Sequence, residues 1–303
     1  MRRILAALLA LALVLSAAAA LGEGLTKTGV YYASNSKSQV CNIHVPEGEG
    51  LFPVIVLVHG GGFAFGDAGM PIIRPVIDAA LARGYAVVSV DYRKSSEAVF
   101  PAALADVKAA VRFVRRTAGR YGFDAERIAI WGESAGAYLA LMTALTPEVG
   151  ALSGDVSVNA ELSSAVRALV SFYAPVEFYT MDEEYAALGV SGSTFSGPDS
   201  FESRFLGTPV GENRELTYTT CWETYVGELP EGFALNAWIQ AGDADTKVPC
   251  TQSVHFAQRL EEVIGAQNVR FGLLPGADHE DAAFYTEENL SAVLDFLDDA
   301  LAR

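Results

Sequence analysis

The sequence predicts a single α/β domain, a mostly parallel central sheet with helices on both faces. Three observations carry that expectation. Short continuous apolar runs alternate with longer helix-like segments from residue 53 to residue 301, the pattern of strands buried on both faces. At mid-chain the pentapeptide Gly132-Glu133-Ser134-Ala135-Gly136 separates a strand-like run from a helix-like one. The 303 residues are 51% hydrophobic, with no repeat or linker to divide them, which supplies ample material for one large core.

In chain order, the first residues read as an address rather than as part of the fold. Arg2-Arg3 precede an apolar stretch from Ile4 to Leu15, and small residues follow to Ala20. A charged start, a hydrophobic middle and an Ala18-x-Ala20 cleavage pattern predict a secretory signal peptide at 1–20 and export of the remainder to the periplasm or the medium. An uncleaved anchor needs roughly 20 apolar residues, and Leu5 to Leu21 nearly reaches that, so anchoring stays open. The domain is expected over 25–303.

Val40, Ile43 and Val45 alternate around Cys41 as an early strand. Residues 53–58 form a continuous apolar run short enough for a buried strand, 71–83 are helix-like, and 85–90 form a second buried strand. Pro101 opens a helix to about residue 121, in a first turn where its missing N–H does no harm. Strand 127–131, helix 135–146 and strand 166–172 follow. The rhythm then breaks: from about 175 to 232 the chain is rich in Gly, Ser, Tyr, Glu and Thr without a clear period. A long irregular insert in a compact α/β domain is usually functional or mobile, and 176–232 reads as a cap-like insert or pocket wall. Residues 235–241, 248–264, 269–274 and 287–301 then supply strand, helix, strand and helix.

Charge narrows the partners. A formal net charge of −16 repels nucleic acid and anionic membrane surfaces, so neither is expected, and no stable membrane partner is. Cysteine is scarce. Cys41, Cys221 and Cys250 allow three single-bridge pairings that sequence alone does not separate; for an exported protein a Cys221–Cys250 bridge is the expectation, against three unpaired thiols. None of the three has metal-ligand spacing, and no metal or cofactor is expected.

The pentapeptide is where chemistry concentrates. A serine flanked by glycines two residues before and after, at a strand-to-helix turn, has the form of a nucleophile elbow: the turn pushes the serine into a strained conformation and leaves its hydroxyl above a helix N-terminus. After the first buried strand stands His59-Gly60-Gly61-Gly62-Phe63. Glycine lets backbone N–H groups approach an acyl oxyanion closely, and this loop pairs in such sites with the N–H following the nucleophile. The N–H groups of Gly61, Gly62 and Ala135 are therefore the candidate oxyanion hole. A phosphate-binding loop is the rival, but neither the P-loop lysine nor the dinucleotide glycine spacing is present. His59 itself reads as structural.

A serine needs a base and the base needs an orienting acid, in the chain order Ser, Asp or Glu, His. Only His255 and His279 follow Ser134. His255 sits inside a helical segment. His279 lies in a loop directly after the strand ending at 274, at the carboxyl edge of the sheet where such sites assemble, and is the candidate base. For the acid, Asp243 and Asp245 follow the preceding strand at the same edge, and Asp278 adjoins the histidine.

With those residues in place, the chain resembles an α/β-hydrolase of the carboxylesterase branch, most similar to the feruloyl and acetyl-xylan esterase-like group related to hormone-sensitive lipase. The carriers span about 38–300: His59-Gly60-Gly61-Gly62-Phe63, Val90-Asp91-Tyr92-Arg93, Phe100-Pro101-Ala102-Ala103, Asp106, the elbow, Phe172-Tyr173-Ala174-Pro175, Gly242-Asp243-Ala244-Asp245, Val248-Pro249, Gln252-Ser253 and the His279 loop. The resemblance implies Asp245 as the acid, the aspartate three residues after the glycine and just ahead of Val-Pro, and so a triad of Ser134, Asp245 and His279. It also implies that Asp91, Tyr92, Arg93 and Asp106 buttress the neighbouring loops, and that Glu133 takes no part in proton transfer. Glu280 and Asp281 depart from the group, where many relatives carry glycine and small or apolar residues after the histidine, and 176–232 has no close match. The expected activity is hydrolysis of carboxylic esters through an acyl-enzyme, on acetyl or feruloyl esters of plant polysaccharide or on small short-chain esters. A serine peptidase of the same fold and a non-catalytic binding protein are the alternatives.

Overall fold

The computed structural model describes residues 24–154, 158–190, 194–230 and 232–302; the expected signal peptide lies outside the described residues. Eight strands form its sheet: β1 (Leu25–Tyr31), β2 (Val40–Val45), β3 (Phe52–Val58), β4 (Ala86–Val90), β5 (Phe123–Glu133), β6 (Ala168–Phe172), β7 (Asn236–Gly242) and β8 (Val269–Leu274). Their spatial order is β1-β2-β4-β3-β5-β6-β7-β8. β1 and β2 pair antiparallel, as do β2 and β4, and every pairing from β4 through β3 to β8 is parallel.

Period-two alternation inside the apolar runs divides the core. Val54, Val56 and Val58 of β3 and Ile128 and Ile130 of β5 face one side, while Ile55, Leu57, Ala129 and Trp131 face the other. The first side is covered by three helices, α2 (Ala102–Tyr121), α3 (Ala135–Leu145) and α8 (Cys250–Ile264), through residues such as Leu104, Leu139 and Phe256. The second is covered by α1 (Arg74–Ala82) and α9 (Glu287–Ala302), through Val76, Ile77, Val293 and Leu297. Helices on both faces satisfy a sheet that has no wettable side.

The structure departs from the sequence reading at three points. β1 was not anticipated: its seven residues are mostly exposed, so it carries no buried pattern to read. The insert is not irregular: its described residues hold four short helices, α4 (Met181–Ala187), α5 (Phe201–Leu206), α6 (Arg214–Thr220) and α7 (Glu223–Val226). The expected Cys221–Cys250 bridge is also absent, and all three thiols are free. Cys221 donates its S–H to Glu177 Oε2 at 2.7 Å, so the sulfur is turned toward a carboxylate rather than toward Cys250. That burial beside an acid pushes the Cys221 thiol up to about 12.

Among the described residues no helix is long and apolar enough to cross a membrane.

Candidate active site

The site is built at the carboxyl ends of β3, β5, β7 and β8. β5 runs straight into the elbow, where Ser134 takes φ 52° and ψ −124° before α3 begins at Ala135. That conformation is costly for a side chain-bearing residue and is held by the surroundings. Gly132 and Gly136 permit it. A Cβ on Gly136 would collide with the Val58 and His59 carbonyls, and one on Gly132 with the Gly136 carbonyl.

From the elbow, Ser134 Oγ lies 2.9 Å from His279 Nε2, and His279 Nδ1 lies 2.8 Å from Asp245 Oδ2. All three side chains are buried. The other Asp245 oxygen, Oδ1, accepts the N–H groups of Lys247 and Val248, each at 2.8 Å. These donors lock the carboxylate so that Oδ2 can only face the imidazole. The remaining acids diverge. Asp243 Oδ1 accepts the Gly276 N–H at 2.6 Å and turns its loop; Asp278 accepts the Thr246 and His279 N–H groups, each at 2.7 Å, away from the ring. His255 is exposed on α8, far from this constellation in role.

Gly61, Gly62 and Ala135 line the same cavity as Ser134 and His279. Ala135 is the first residue of α3, where N–H groups have no intrahelical acceptor, and neither Gly61 nor Gly62 donates its N–H to another described residue. Three backbone N–H groups without an acceptor among the described residues therefore belong to the wall of the cavity that holds Ser134. His59 is buried and stacks on Tyr92 with ring centroids 4.6 Å apart. Its Nδ1 meets the Gly60 carbonyl at 2.7 Å and its Nε2 meets Asp91 at 3.3 Å. Burial lowers its affinity for a proton, and it braces the glycine loop. Arg93 and Asp106 form a buried pair, with Arg93 Nη2 2.9 Å from Oδ1, and Gln39 adds a donor to the same carboxylate at 2.7 Å.

The sequence named Tyr173, Glu133, Glu280 and Asp281 but not the contacts they make, and it gave no signal for Tyr285. The Tyr173 ring lies 4.6 Å from that of His279, and its hydroxyl bonds that of Tyr285. Glu133 is 2% exposed and its Oε1 has no hydrogen-bond partner among the described residues. Burial, beside Glu280, raises its carboxyl to about 8, while the Tyr285 and Tyr173 hydroxyls oppose the shift. Glu280, after the histidine, pairs with Lys247 at 3.1 Å, and Asp281 accepts the Ala283 N–H at 2.8 Å to start the next turn. The cavity, about 550 Å³, is walled on its outer side by the insert through Thr194, Phe195 and Asp199–Glu202. Phe65, six residues after His59, lies close to a motif but was not read from the sequence.

Sheet order and elbow define an α/β-hydrolase fold, with the Ser134–His279–Asp245 chain as its candidate site. The chain belongs to the BD-FAE family, which it matches over residues 41–260. It is similar to esterase LipQ of Mycobacterium tuberculosis, 30% identical over 249 residues, covering 81% of this chain and 55% of LipQ. A stretch of 100 residues, 32% of this chain and 31% of the relative, is 43% identical to carboxylesterase NlhH of the same species. Among solved structures, the bifunctional GH43-CE protein of Bacteroides eggerthii superposes with a TM-score of 0.80 at 27% identity, over 91% of this chain and 35% of that one. A truncated carbohydrate esterase from gut microbiota gives 0.79 at 25% identity, over 93% and 98%. The chain thus spans about half the length of LipQ and about a third of the GH43-CE protein.

Proposed function

We propose that this chain is a serine carboxylesterase acting through an acyl-enzyme on acetyl or feruloyl esters of a carbohydrate, or on small short-chain esters. The observation that carries the reading is the unbroken hydrogen-bonded chain Asp245–His279–Ser134, opening into a cavity with three free backbone donors. His279 Nε2 takes the Ser134 proton as Oγ bonds to the ester carbonyl carbon. Negative charge then gathers on the carbonyl oxygen, where the Gly61, Gly62 and Ala135 N–H groups receive it. The tetrahedral adduct collapses by breaking its bond to the alkoxy oxygen, which leaves with the proton held by His279. Water, deprotonated by His279, releases the acid and restores the serine. Asp245 holds the tautomer and balances the imidazolium throughout. The scheme needs no metal or cofactor.

The carbohydrate part of the reading is supported by the likeness to a carbohydrate esterase across nearly the whole of both chains. The test is a set of initial rates on p-nitrophenyl acetate, butyrate and octanoate, methyl ferulate and acetylated xylan, with Ser134→Ala alongside. Loss of every rate in the variant is the expected result. Unchanged rates in the variant, or cleavage of a matched amide faster than its ester, overturn it.

A further inference from the structure

The catalytic cavity does not end at the insert. Phe65 and Arg204 line it on one side and also line a second recess of about 500 Å³, walled further by Ser95, Ser96, Ser203 and Thr208. The two spaces share these side chains as a common wall.

That wall is built from the oxyanion loop outward. The Phe65 N–H bonds the Gly61 carbonyl at 3.0 Å, so the loop that positions the candidate oxyanion donors also positions this ring. A Cβ on Gly62 would stand 2.7 Å from Phe201 Cγ; the Phe201 ring lies on the loop itself. Phe65 meets Phe201 edge-on with centroids 6.0 Å apart. It is 62% exposed, the most exposed large apolar side chain among the described residues. An aromatic ring fixed in place yet left in water is a surface awaiting a ligand.

The polar groups around it are equally uncommitted. Arg204 spreads its guanidinium over Phe201 at 4.9 Å. Its one hydrogen bond within the described residues is a long one from Nε to the Ser200 carbonyl, 3.4 Å, and it makes no ion pair there, in a chain with 37 acids against 21 bases. Arg204 lines both spaces. The Ser95, Ser96 and Thr208 hydroxyls make no hydrogen bond to another described residue. Planar donors, free hydroxyls and one bare ring match a ligand with C–H groups on one face and hydroxyls around its rim, which is the chemistry of a sugar ring.

The geometry points to a second carbohydrate subsite: Phe65 stacks, and Arg204, Ser95, Ser96 and Thr208 hydrogen-bond, the sugar unit next to the one whose ester lies at Ser134. The occupant is a neutral oligosaccharide chain, since the acidic surface disfavours an anionic polymer. This inference rests on the carbohydrate-ester reading and adds to it a chain-length preference and the residues that set it.

The experiment compares kcat/KM for acetylated xylose, acetylated xylotriose and p-nitrophenyl acetate in the native enzyme, in Phe65→Ala and in Ser96→Trp, the last filling the recess. In the native enzyme the trimer exceeds the monomer by about tenfold, one good contact's worth. Both variants remove that excess while the ratio of monomer to p-nitrophenyl acetate holds. Equal values for trimer and monomer in the native enzyme, or an excess that survives in both variants, overturn the proposal. Binding of unesterified xylotriose to Ser134→Ala by calorimetry is read independently of turnover: it persists in that background and weakens at least about tenfold on adding Ser96→Trp. If no ester is cleaved, the esterase reading fails and this binding arm alone decides the subsite. Xylotriose bound equally with and without Ser96→Trp overturns it.

Discussion

At Ser134 a strained backbone, a buried imidazole and a locked carboxylate meet within hydrogen-bond distance. Removing the nucleophile by Ser134→Ala is expected to lower turnover on p-nitrophenyl acetate by roughly 10⁶, and Asp245→Asn, which favours the wrong imidazole tautomer, by roughly 10⁴. A variant Asp245→Asn with near-native turnover would show that the acid lies elsewhere. Glu133 makes a different prediction. Its carboxyl is raised to about 8 by burial, well above its unfolded value, so the folded state binds the extra proton between the two. Stability from this group is full below the unfolded value and is lost as pH rises toward 8. Glu133→Gln, which keeps the shape and cannot ionise, is expected to gain stability relative to the native protein between pH 5 and pH 8, read as urea midpoints at each pH. A constant difference between the two proteins would contradict it. The glycines and the serine were legible in the sequence because close approach admits few residue types. The company kept by Glu133 was not, since Tyr173 and Tyr285 reach it from distant parts of the chain.

Elements were legible where they were long and apolar. β3, β6 and α2 declared themselves through unbroken hydrophobic runs or through helical period, and each stands within two or three residues of its expected place. β5 began earlier, at Phe123, because its first residues lie half exposed and do not look like a buried strand. The helices of the insert, four to seven residues long, are shorter than two turns and show no period at all. Two substitutions test the element scale. Gly136→Ala places a methyl group against the Val58 and His59 carbonyls and is expected to cost about 3 kcal/mol or to prevent folding, measured by urea denaturation and circular dichroism. Leu297→Ala empties a fully buried position on α9 and is expected to cost about 2–5 kcal/mol. A loss below 1 kcal/mol would mean that α9 closes over the gap.

Across the whole molecule, the loop before β2, the loop after β4 and α2 converge on one buried carboxylate, Asp106, which takes donors from Gln39 and from both the backbone and the guanidinium of Arg93. Asp106→Ala removes the carboxylate that balances the buried Arg93 charge, and about 3–5 kcal/mol is expected to be lost. The acid at this position was legible through family resemblance, but Gln39, its partner beside Arg93, was not. The candidate triad, too, is a product of assembly: Ser134 follows β5, an inner strand, while His279 follows β8, which among the described residues pairs with β7 alone at the margin of the sheet. A slip of β8 by one residue would carry the histidine about 3.3 Å away from the serine. Margins fray first. On heating, the enzyme is therefore expected to fall silent at a temperature where far-ultraviolet circular dichroism still reports a folded chain, and to recover on cooling as long as the interior strands have held.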